Sequence, residues 1–363
     1  MKIKHLVLKN YRNCEDIDLD FNNQKILIIG KNAQGKTNIL ESIYLLSDIK
    51  SPRTSSMEDL INFTQNNFLI NALIEKNDTD IELDFNYNRD KKREFYINKV
   101  KSSAKDFKLV AKTVLFSTKD LLLLRGTPQD RRDWLDRAIS QVYPAYSERL
   151  SKYDKIRIQK NNLLKSEFLD ESLLDVYNEQ LVISGANIIF LRKKFLKELA
   201  EIACKKHALI SSNESFTLNY TVSYSDIDSI CKYLKEELDR RRFEEIARKQ
   251  ACVGPHRDDI ELKINQVDAV KFASQGQQRT LVLSLKLAEL EIIKNKTGFN
   301  PILLLDDVLA ELDETRQNYL LKSIENNIQT IITSVDTLLF DEDFLKKVKI
   351  YNIENGKTKT NLL

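Results

Sequence analysis

The run Gly30-Lys31-Asn32-Ala33-Gln34-Gly35-Lys36-Thr37 decides how this 363-residue chain is interpreted. It follows a short apolar run, residues 26–29, of the kind found in a strand buried on both faces. Apolar residues then recur at helical spacing over residues 37–47. The run fits G-x-x-x-x-G-K-[ST] in the strand–loop–helix context that this pattern requires. The alternative is an accidental match at an ordinary strand–turn–helix corner.

This loop predicts a site for a nucleoside triphosphate and Mg²⁺. Glycines let backbone N–H groups curl around phosphates, and the positive end of the following helix faces the negative charge. Lys36 is expected to reach the β- and γ-phosphates, and the Thr37 hydroxyl is expected to face Mg²⁺. The nucleotide-binding residues predicted here are Gly30, Lys31, Asn32, Ala33, Gln34, Gly35, Lys36, Thr37 and Asn38.

The composition is that of an ordinary soluble globular protein, with 42% hydrophobic and 31% charged residues. No apolar run approaches the ~20 residues of a membrane span, and the first residues lack the apolar core of a signal peptide. The four cysteines contain no C-x-x-C pair, which argues against a zinc site or a disulfide framework. We therefore expect a cytoplasmic protein without membrane contact. The net charge of +3 is too small to indicate nucleic-acid binding by itself.

The periodicity of the chain predicts an α/β protein of two lobes. Strand patterns dominate the beginning and the end, whereas the middle is largely helical with little Gly or Pro. We expect a mixed P-loop sheet, lobe I, over residues 1–125 and 295–363, and a mainly helical lobe II over residues 126–294. The expected strands are residues 3–8, 17–21, 25–29, 68–74, 80–87, 93–97, 216–222, 260–264, 302–305, 330–333 and 349–353.

Two carboxylates end the apolar run 302–305, in the manner of a Walker B strand. Asp306 is expected to hold Mg²⁺, and Asp307 is expected to orient and deprotonate a water beside the γ-phosphate. A buried strand ending in an acidic turn is the alternative, and the upstream P-loop argues against it. No N-K-x-D pattern for reading guanine occurs, because Asn295-Lys296 is followed by Thr297-Gly298, so ATP is the expected nucleotide.

Two further motifs narrow the family. Residues 274–278, Ser-Gln-Gly-Gln-Gln, look like the signature loop of ABC-type ATPases, and residues 310–313, Ala-Glu-Leu-Asp, look like their D-loop. More closely, the chain resembles the RecF family of bacterial recombinational-repair proteins, which is related to SMC heads but lacks their coiled coil. The matching runs are residues 8–13, 30–41, 116–121, 126–136, 159–165, 254–259 and 272–289.

The resemblance implies an ABC-ATPase head that forms an ATP-dependent homodimer. Ser274 of one subunit would contact the γ-phosphate held by Lys36 of the other, so that Asp307, Lys36 and Ser274 form the catalytic set. Gly276, Gln277 and Asp313 would complete the nucleotide site. The resemblance also implies a weak, DNA-stimulated ATPase that recognises gapped or junction DNA and supports RecA loading with RecO and RecR.

Three positions depart from the family pattern. Pro52 precedes Arg53 where the family often has His, which puts a role for that arginine in doubt. Asp307 stands where most ABC enzymes place Glu, and the shorter side chain is consistent with slow turnover. Residues 334–336, Ser-Val-Asp, contain no switch histidine.

Basic residues offer candidates for contact with DNA phosphates, although a charge run is often only a solvated face. Residues 89–112 contain nine Lys or Arg against three Asp or Glu. His256, beside Arg257, could be a polar hinge near the nucleotide or a packing residue. The candidate DNA contacts are Lys101, Lys105, Lys108, Arg192, Lys193, Arg240, Arg241 and Arg242.

Two other classes of function fit part of the sequence. A metabolic P-loop kinase would need a pocket for a small-molecule acceptor, and it would have no reason for the loop at Ser274. A structural DNA clamp that binds ATP without appreciable hydrolysis keeps every feature except a working Asp307. Phosphate release with and without duplex DNA separates this clamp from an ATPase.

Overall fold

The computed structural model describes residues 1–90, 92–211, 214–324 and 327–359. The strands are β1 Lys2–Tyr11, β2 Cys14–Asp20, β3 Lys25–Ile29, β4 Asn67–Lys76, β5 Thr79–Asn88, β6 Arg93–Ile97, β7 Val100–Ser102, β8 Thr113–Ser117, β9 Phe216–Tyr220, β10 Ile260–Ile264, β11 Val267–Asp268, β12 Ile302–Asp306, β13 Thr330–Ser334, β14 Lys349–Glu354 and β15 Lys357–Lys359. The α-helices are α1 Lys36–Asp48, α2 Ala104–Val110, α3 Leu122–Arg125, α4 Pro128–Val142, α5 Pro144–Leu164, α6 Glu171–Ile210, α7 Ile227–Arg240, α8 Arg242–Arg248, α9 Ala269–Phe272, α10 Gln275–Thr297, α11 Glu314–Ser323 and α12 Glu342–Leu345.

The chain folds as two compact units. Unit 1 contains the described residues of Met1–Asp120 and Glu289–Leu363, and unit 2 contains those of Leu121–Ala288. Unit 1 is discontinuous because strands from both ends of the chain enter one sheet. No helix in the described ranges is both long and apolar enough to cross a membrane.

The central sheet of unit 1 has the strand order β15-β14-β3-β13-β12-β8. Strands β14, β3, β13, β12 and β8 run parallel, which explains why β3 and β12 are apolar on both faces. The pairing aligns Ile29 with Ser334 and Thr333 with Asp306. The carboxyl ends of three adjacent strands therefore meet at one edge, where parallel α/β sheets bind their ligands.

The second sheet of unit 1 is antiparallel, with the order β2-β1-β4-β5-β6-β7. Its side chains alternate as the sequence predicts, since Ile17 and Leu19 are buried while Asp16 and Asp18 are exposed. Gln329, just before β13, fastens this sheet to the first. Its buried amide accepts from the Ile3 N–H at 2.7 Å and donates to the carbonyls of Ile3 and Phe21 at 2.8 Å.

Unit 2 combines helices α3 to α9 and the first part of α10 with the small sheet β11-β10-β9. Helix α4 begins where Thr127-Pro128 predicts it, because Thr127 and Asp130 form a capping box and Pro128 occupies the first turn. A buried ion pair joins α5 to α8: Lys160 Nζ lies 2.6 Å from Glu245 Oε2. Glu245 Oε1 accepts from the Cys252 N–H at 2.7 Å and so fixes the loop after α8.

The prediction of an α/β fold with a mixed sheet and helical regions is confirmed. The expected strands 25–29 and 260–264 have the observed bounds. Neither β8, which pairs with β12, nor α2, within the basic stretch, is among the elements expected from the sequence. Residues 113–117 have no Gly, Pro or Asn at either end, so the turn signals that delimit a strand are missing there.

Candidate functional site

The P-loop connects β3 to α1 and has the backbone that its glycines predict. Gly35 has a φ of 114°, a left-handed conformation that favours glycine, and its carbonyl accepts from the N–H groups of Asn38 and Ile39 in α1. Lys36 is only 3% exposed. Its Nζ donates to the carbonyls of Gly30 at 2.7 Å and Lys31 at 3.2 Å, so the ammonium lies inside the loop that is expected to enclose phosphate.

Two carboxylates, Asp306 at the end of β12 and Asp307 directly after it, lie beside this loop. The Thr37 hydroxyl donates to Asp306 Oδ1 at 2.8 Å, and the Thr333 hydroxyl donates to the same oxygen at 3.1 Å. The Asp307 N–H donates to Thr333 Oγ1 at 2.9 Å. Burial raises the pKa of Asp306, and the adjacent negative charge of Asp307 raises it further. Two neighbouring carboxylates held in this way form a site that a cation would stabilise.

The residues present fit a magnesium–nucleotide complex. Thr37 and Asp306 supply hydroxyl and carboxylate oxygens, the hard donors that Mg²⁺ prefers alongside phosphate oxygens. Asp307 Oδ1 is shielded from solvent and has no hydrogen-bond partner within the described parts of the chain. A buried carboxylate oxygen left in this state indicates a ligand or water that belongs to the site.

A cluster of charged residues around Glu41 lies next to the P-loop helix and was missed by sequence reasoning. Arg12 forms a bidentate ion pair with the buried Glu41 carboxylate, with Nη2 to Oε1 at 2.9 Å. Arg53 donates to Asn38 Oδ1 at 2.6 Å and lies 3.3 Å from Glu41, and its positive charge offsets part of the rise that burial causes in the pKa of Asp306. The sequence departs from the family pattern just before Arg53, but the fold still places the Arg53 side chain next to Asn38 and Glu41.

The signature loop belongs to unit 2 and starts α10. The Ser274 N–H donates to Gln277 Oε1 at 2.8 Å, and Ser274 Oγ accepts from the Gln277 N–H at 3.2 Å. This reciprocal pair is a capping box. Gln277 Nε2 donates to Glu214 Oε1 at 2.8 Å, and Gly276 is half-buried in the first turn. Because Ser274 Oγ is an acceptor in the cap and the residue is exposed, its hydroxyl hydrogen stays available to an outside acceptor.

Asp313, the residue at the end of the predicted D-loop, belongs to unit 1 and is exposed. Its side chain accepts from the Arg316 N–H at 2.9 Å and caps α11. It also forms an ion pair with the Arg316 guanidinium. Within one protomer Asp313 therefore has a structural task, and its contribution to a nucleotide site stays a prediction.

Arg192 cannot contact DNA in this fold, so that prediction is wrong. The residue is 2% exposed and forms a bidentate ion pair with Asp136, with Nη2 to Oδ2 at 2.8 Å. Its Nη1 donates to the Tyr220 hydroxyl at 3.0 Å and the Pro255 carbonyl at 2.6 Å. The guanidinium is a buried centre of hydrogen bonding that joins α4 and α6 to the segment before β10.

The other DNA candidates are more accessible, but several have partners. Lys101 is exposed and lies 3.0 Å from Glu94, and Lys105 is exposed. Burial lowers the pKa of Lys108 and of Lys193, whose Nζ donates to the Val222 carbonyl. The three arginines at the end of α7 each pair with acids of unit 2: Arg240 with Glu237, Arg241 with Glu244, and Arg242 with Glu171 and Asp175.

His256 directly follows Pro255, whose carbonyl accepts from Arg192. Its Nδ1 lies 2.6 Å from the Tyr153 hydroxyl, and its Nε2 lies 3.2 Å from the Ala251 carbonyl, which suits a neutral ring that donates from Nε2. Burial lowers the pKa of His256 to about 3. The side chain therefore holds the loop around Pro255 in place, and this packing accounts for it without catalysis.

Acid should destabilise unit 2 through His256. Its pKa is lower in the folded than in the unfolded state, so its stabilising contribution is present above pH 6.5 and is lost toward pH 3. Asp258, whose pKa burial raises to about 6, has the opposite effect. His256→Gln should therefore reduce the loss of unfolding free energy between pH 7 and pH 5 by about 2 kcal/mol. Urea unfolding followed by the fluorescence of Trp134, the single tryptophan, measures this in unit 2. An equally steep loss in the variant would contradict the assignment.

The chain matches the family described as RecF/RecN/SMC N terminal domain over residues 2–359. It is 42% identical to the DNA replication and repair protein RecF of Streptococcus gordonii, over 99% of this chain and 100% of that protein. The chain belongs to the RecF family. A RecF-family relative of the same name from Clostridioides difficile is 39% identical, over 98% of this chain and 97% of its own.

Solved structures agree with the RecF-family assignment. "Structure of the recombination mediator protein RecF-ATPrS in RecFOR pathway" is 33% identical with a TM-score of 0.91, and covers 99% of this chain and 97% of its own. A companion structure titled RecF-ATP is 34% identical with the same TM-score, covering 98% and 96%. An SmcHead bound to a domain of ScpA, 14% identical with a TM-score of 0.58 over 99% and 96% of the two chains, shows the shared fold. The predicted relation to SMC-type heads is confirmed.

Proposed function

We propose that this protein is an ATP-dependent DNA-binding protein of recombinational repair, a weak, DNA-stimulated ATPase that acts in the cytoplasm. One observation carries the proposal: the P-loop and the β12 carboxylates meet at one sheet edge, with Thr37 Oγ1 at 2.8 Å from Asp306 Oδ1. The similarity to structures titled RecF-ATP and RecF-ATPrS supports ATP as the nucleotide.

The chemistry follows from the side chains around the loop. The N–H groups of the P-loop and the Lys36 ammonium would bind the phosphates and fix their orientation. Thr37 and Asp306 would hold Mg²⁺, which when bound neutralises phosphate charge. Asp307 would orient a water and accept its proton as that water attacks the γ-phosphorus. Hydrolysis is slow in this proposal because the shorter Asp side chain reaches the water less well than Glu.

ATP is proposed to join two copies of the chain. The free hydroxyl hydrogen of Ser274, with Gly276 and Gln277, would complete the nucleotide site of the partner, and Asp313 would lie near the symmetry axis. Such an isologous interface contains two equivalent sites. ATP shifts the monomer–dimer equilibrium because it contacts both subunits only in the dimer, and hydrolysis removes that linkage.

The dimer is proposed to bind gapped or junction DNA through phosphate contacts, without reading sequence. RecF-family membership and the printed names of the relatives support this role. Lys101, Lys105 and Arg240 are the best-placed candidates because they are exposed, whereas Lys108, Lys193, Arg241 and Arg242 are partly buried. With RecO and RecR as partners, the complex would support loading of RecA.

Lys36→Ala tests the proposal. Loss of a charge-assisted contact to phosphate, worth about 1.5–3 kcal/mol, should weaken ATP binding by about 10- to 150-fold. ATP-dependent retention on gapped duplex should disappear with it, and retention of the wild type should fall steeply with added salt. Equilibrium titration with fluorescent ATP, followed by DNA binding at several salt concentrations, provides both measurements.

Lys322→Ala is the matched control, because Lys322 is exposed on α11 of the same unit. It should bind ATP and DNA as the wild type does. Wild-type ATP affinity in Lys36→Ala would refute the nucleotide site. If the wild type binds ATP but is retained on DNA equally with and without ATP, only the ATP-dependent DNA role is refuted.

A further inference from the structure

The turn between β14 and β15 lies at the point where the P-loop begins. Strand β14 pairs in parallel with β3 up to Asn352 and Ile29, the last residue before the loop. Strand β15 then returns antiparallel after a two-residue turn, in which Asn355 has a φ of 50° and Gly356 a φ of 72°. Two left-handed residues are typical of a tight type I′ hairpin. The register of β14 thus brings this turn to the nucleotide end of β3.

Both N–H groups of the turn donate hydrogen bonds to one P-loop residue, Gln34. The Gly356 N–H donates to the Gln34 carbonyl at 2.9 Å, and the Asn355 N–H donates to Gln34 Oε1 at 2.6 Å. The same hairpin touches the start of the loop, since a Cβ on Gly30 would lie only 2.4 Å from the Ile353 carbonyl oxygen. The loop is therefore hydrogen-bonded at Gln34, and closely approached at Gly30, by a segment more than three hundred residues away in sequence.

Asn13, in the turn between β1 and β2, completes the contact. Its Nδ2 donates to the Ala33 carbonyl at 3.4 Å, and its Oδ1 accepts from Asn38 Nδ2 at 2.7 Å. Gly356 is buried against the Asn13 backbone. A Cβ at this position would lie 2.0 Å from the Asn13 carbonyl oxygen, so only glycine fits there. Asn13 is thus held between the hairpin turn and the P-loop.

These contacts orient the donors that face the ligand. A trans peptide is planar, so its C=O and N–H point in opposite directions. The Gln34 carbonyl belongs to the peptide that carries the Gly35 N–H, and the Ala33 carbonyl belongs to the peptide that carries the Gln34 N–H. The hairpin holds the first carbonyl and Asn13 holds the second, so each N–H is directed away from the residue that holds its carbonyl.

We propose that the Asn355–Gly356 turn and Asn13 are positioning residues that hold the P-loop in its phosphate-binding shape. The proposal rests on the proposed ATP binding. It makes the C-terminal hairpin part of the nucleotide site through backbone contacts, without itself touching the nucleotide. By linkage, nucleotide bound in the loop stabilises the hairpin turn as much as the turn stabilises nucleotide binding.

Gly356→Ala tests the proposal against a control that the chain supplies. Gly298 has nearly the same backbone, with a φ of 74°, but a Cβ there would meet nothing within 4 Å. Both variants carry the strain of alanine at positive φ, and only Gly356→Ala displaces the turn from Asn13 and Gln34. Misdirecting one or two N–H donors should weaken ATP binding by about 10- to 100-fold in Gly356→Ala. Gly298→Ala should bind ATP as the wild type does.

A second measurement uses the wild type and so does not depend on whether the variant folds. Hydrogen exchange at the amides of Asn355 and Gly356 should slow when ATP and Mg²⁺ are added. Equal ATP affinities of the two alanine variants, or exchange at both amides that ignores ATP, would overturn the positioning role. Failure of the wild type to bind ATP would instead overturn the proposed function.

Discussion

Asp307→Asn should lower the steady-state rate of ATP hydrolysis by ~10²–10⁴-fold, the usual contribution of a general base, while ATP continues to bind. The amide has nearly the shape of the carboxylate but cannot accept the proton of the attacking water. The backbone at this position should stay in place, because its N–H is held by Thr333 Oγ1 at 2.9 Å. Phosphate release at saturating ATP and Mg²⁺, measured beside the ATP dissociation constant, separates chemistry from binding.

Two further substitutions are compared with Asp307→Asn. Asp306→Asn removes the carboxylate that accepts from Thr37, so it should impair binding of the magnesium–nucleotide complex itself. Asp343→Asn, on the exposed surface of α12, is the matched control and should hydrolyse ATP at the wild-type rate. If Asp307→Asn loses ATP binding as Asp306→Asn does, the roles of the two carboxylates are reversed. If the wild type itself releases no appreciable phosphate, the structural DNA clamp is the better description, and if Asp307→Asn hydrolyses ATP at the wild-type rate, Asp307 is not the general base.

Ser274→Asp should abolish ATP-dependent dimerisation while each protomer still binds ATP. Aspartate caps helices as well as serine, so α10 should keep its first turn. The new carboxylate, however, would face the γ-phosphate held by the partner, and like charges juxtaposed at an interface cost several kcal/mol. A dimer dissociation constant raised by about 100-fold or more is expected. Sedimentation with ATP and Mg²⁺ measures it directly.

Asp226→Ala is the control for this experiment, because it removes the cap of another unit 2 helix, α7, and should leave dimerisation intact. Mixing Ser274→Asp with Lys36→Met gives the complementary result. One composite site of that heterodimer combines the native Lys36 with the native Ser274, so part of the hydrolysis lost in each variant should return. A stable ATP-dependent dimer of Ser274→Asp would refute sites shared across the interface.

Contiguous motifs explain why so much of the site could be predicted. The P-loop and the Asp306-Asp307 pair each need adjacent residues in a fixed order, and the β3 strand and α1 helix that flank the loop have strong local patterns. Charge alone was a poor guide to surfaces. An arginine can bind phosphate when it is exposed, but Arg192 lies on the buried face of α6 and pairs with Asp136. Only the packing of the helices distinguishes the two.

The sequence by itself determined the parallel nucleotide-binding core, the identity of its chemical groups and the relationship to RecF, because these reside in local residue order. The tertiary structure alone decided how the loop is held. Asn13, Gln34 and Gly356 are far apart in the chain, and they meet through backbone N–H and carbonyl groups together with the side-chain amides of Asn13 and Gln34. Backbone contacts of this kind leave almost no trace in side-chain identity, except a glycine where a Cβ would not fit. The register of β14 on β3, which only the assembled sheet fixes, brings them together.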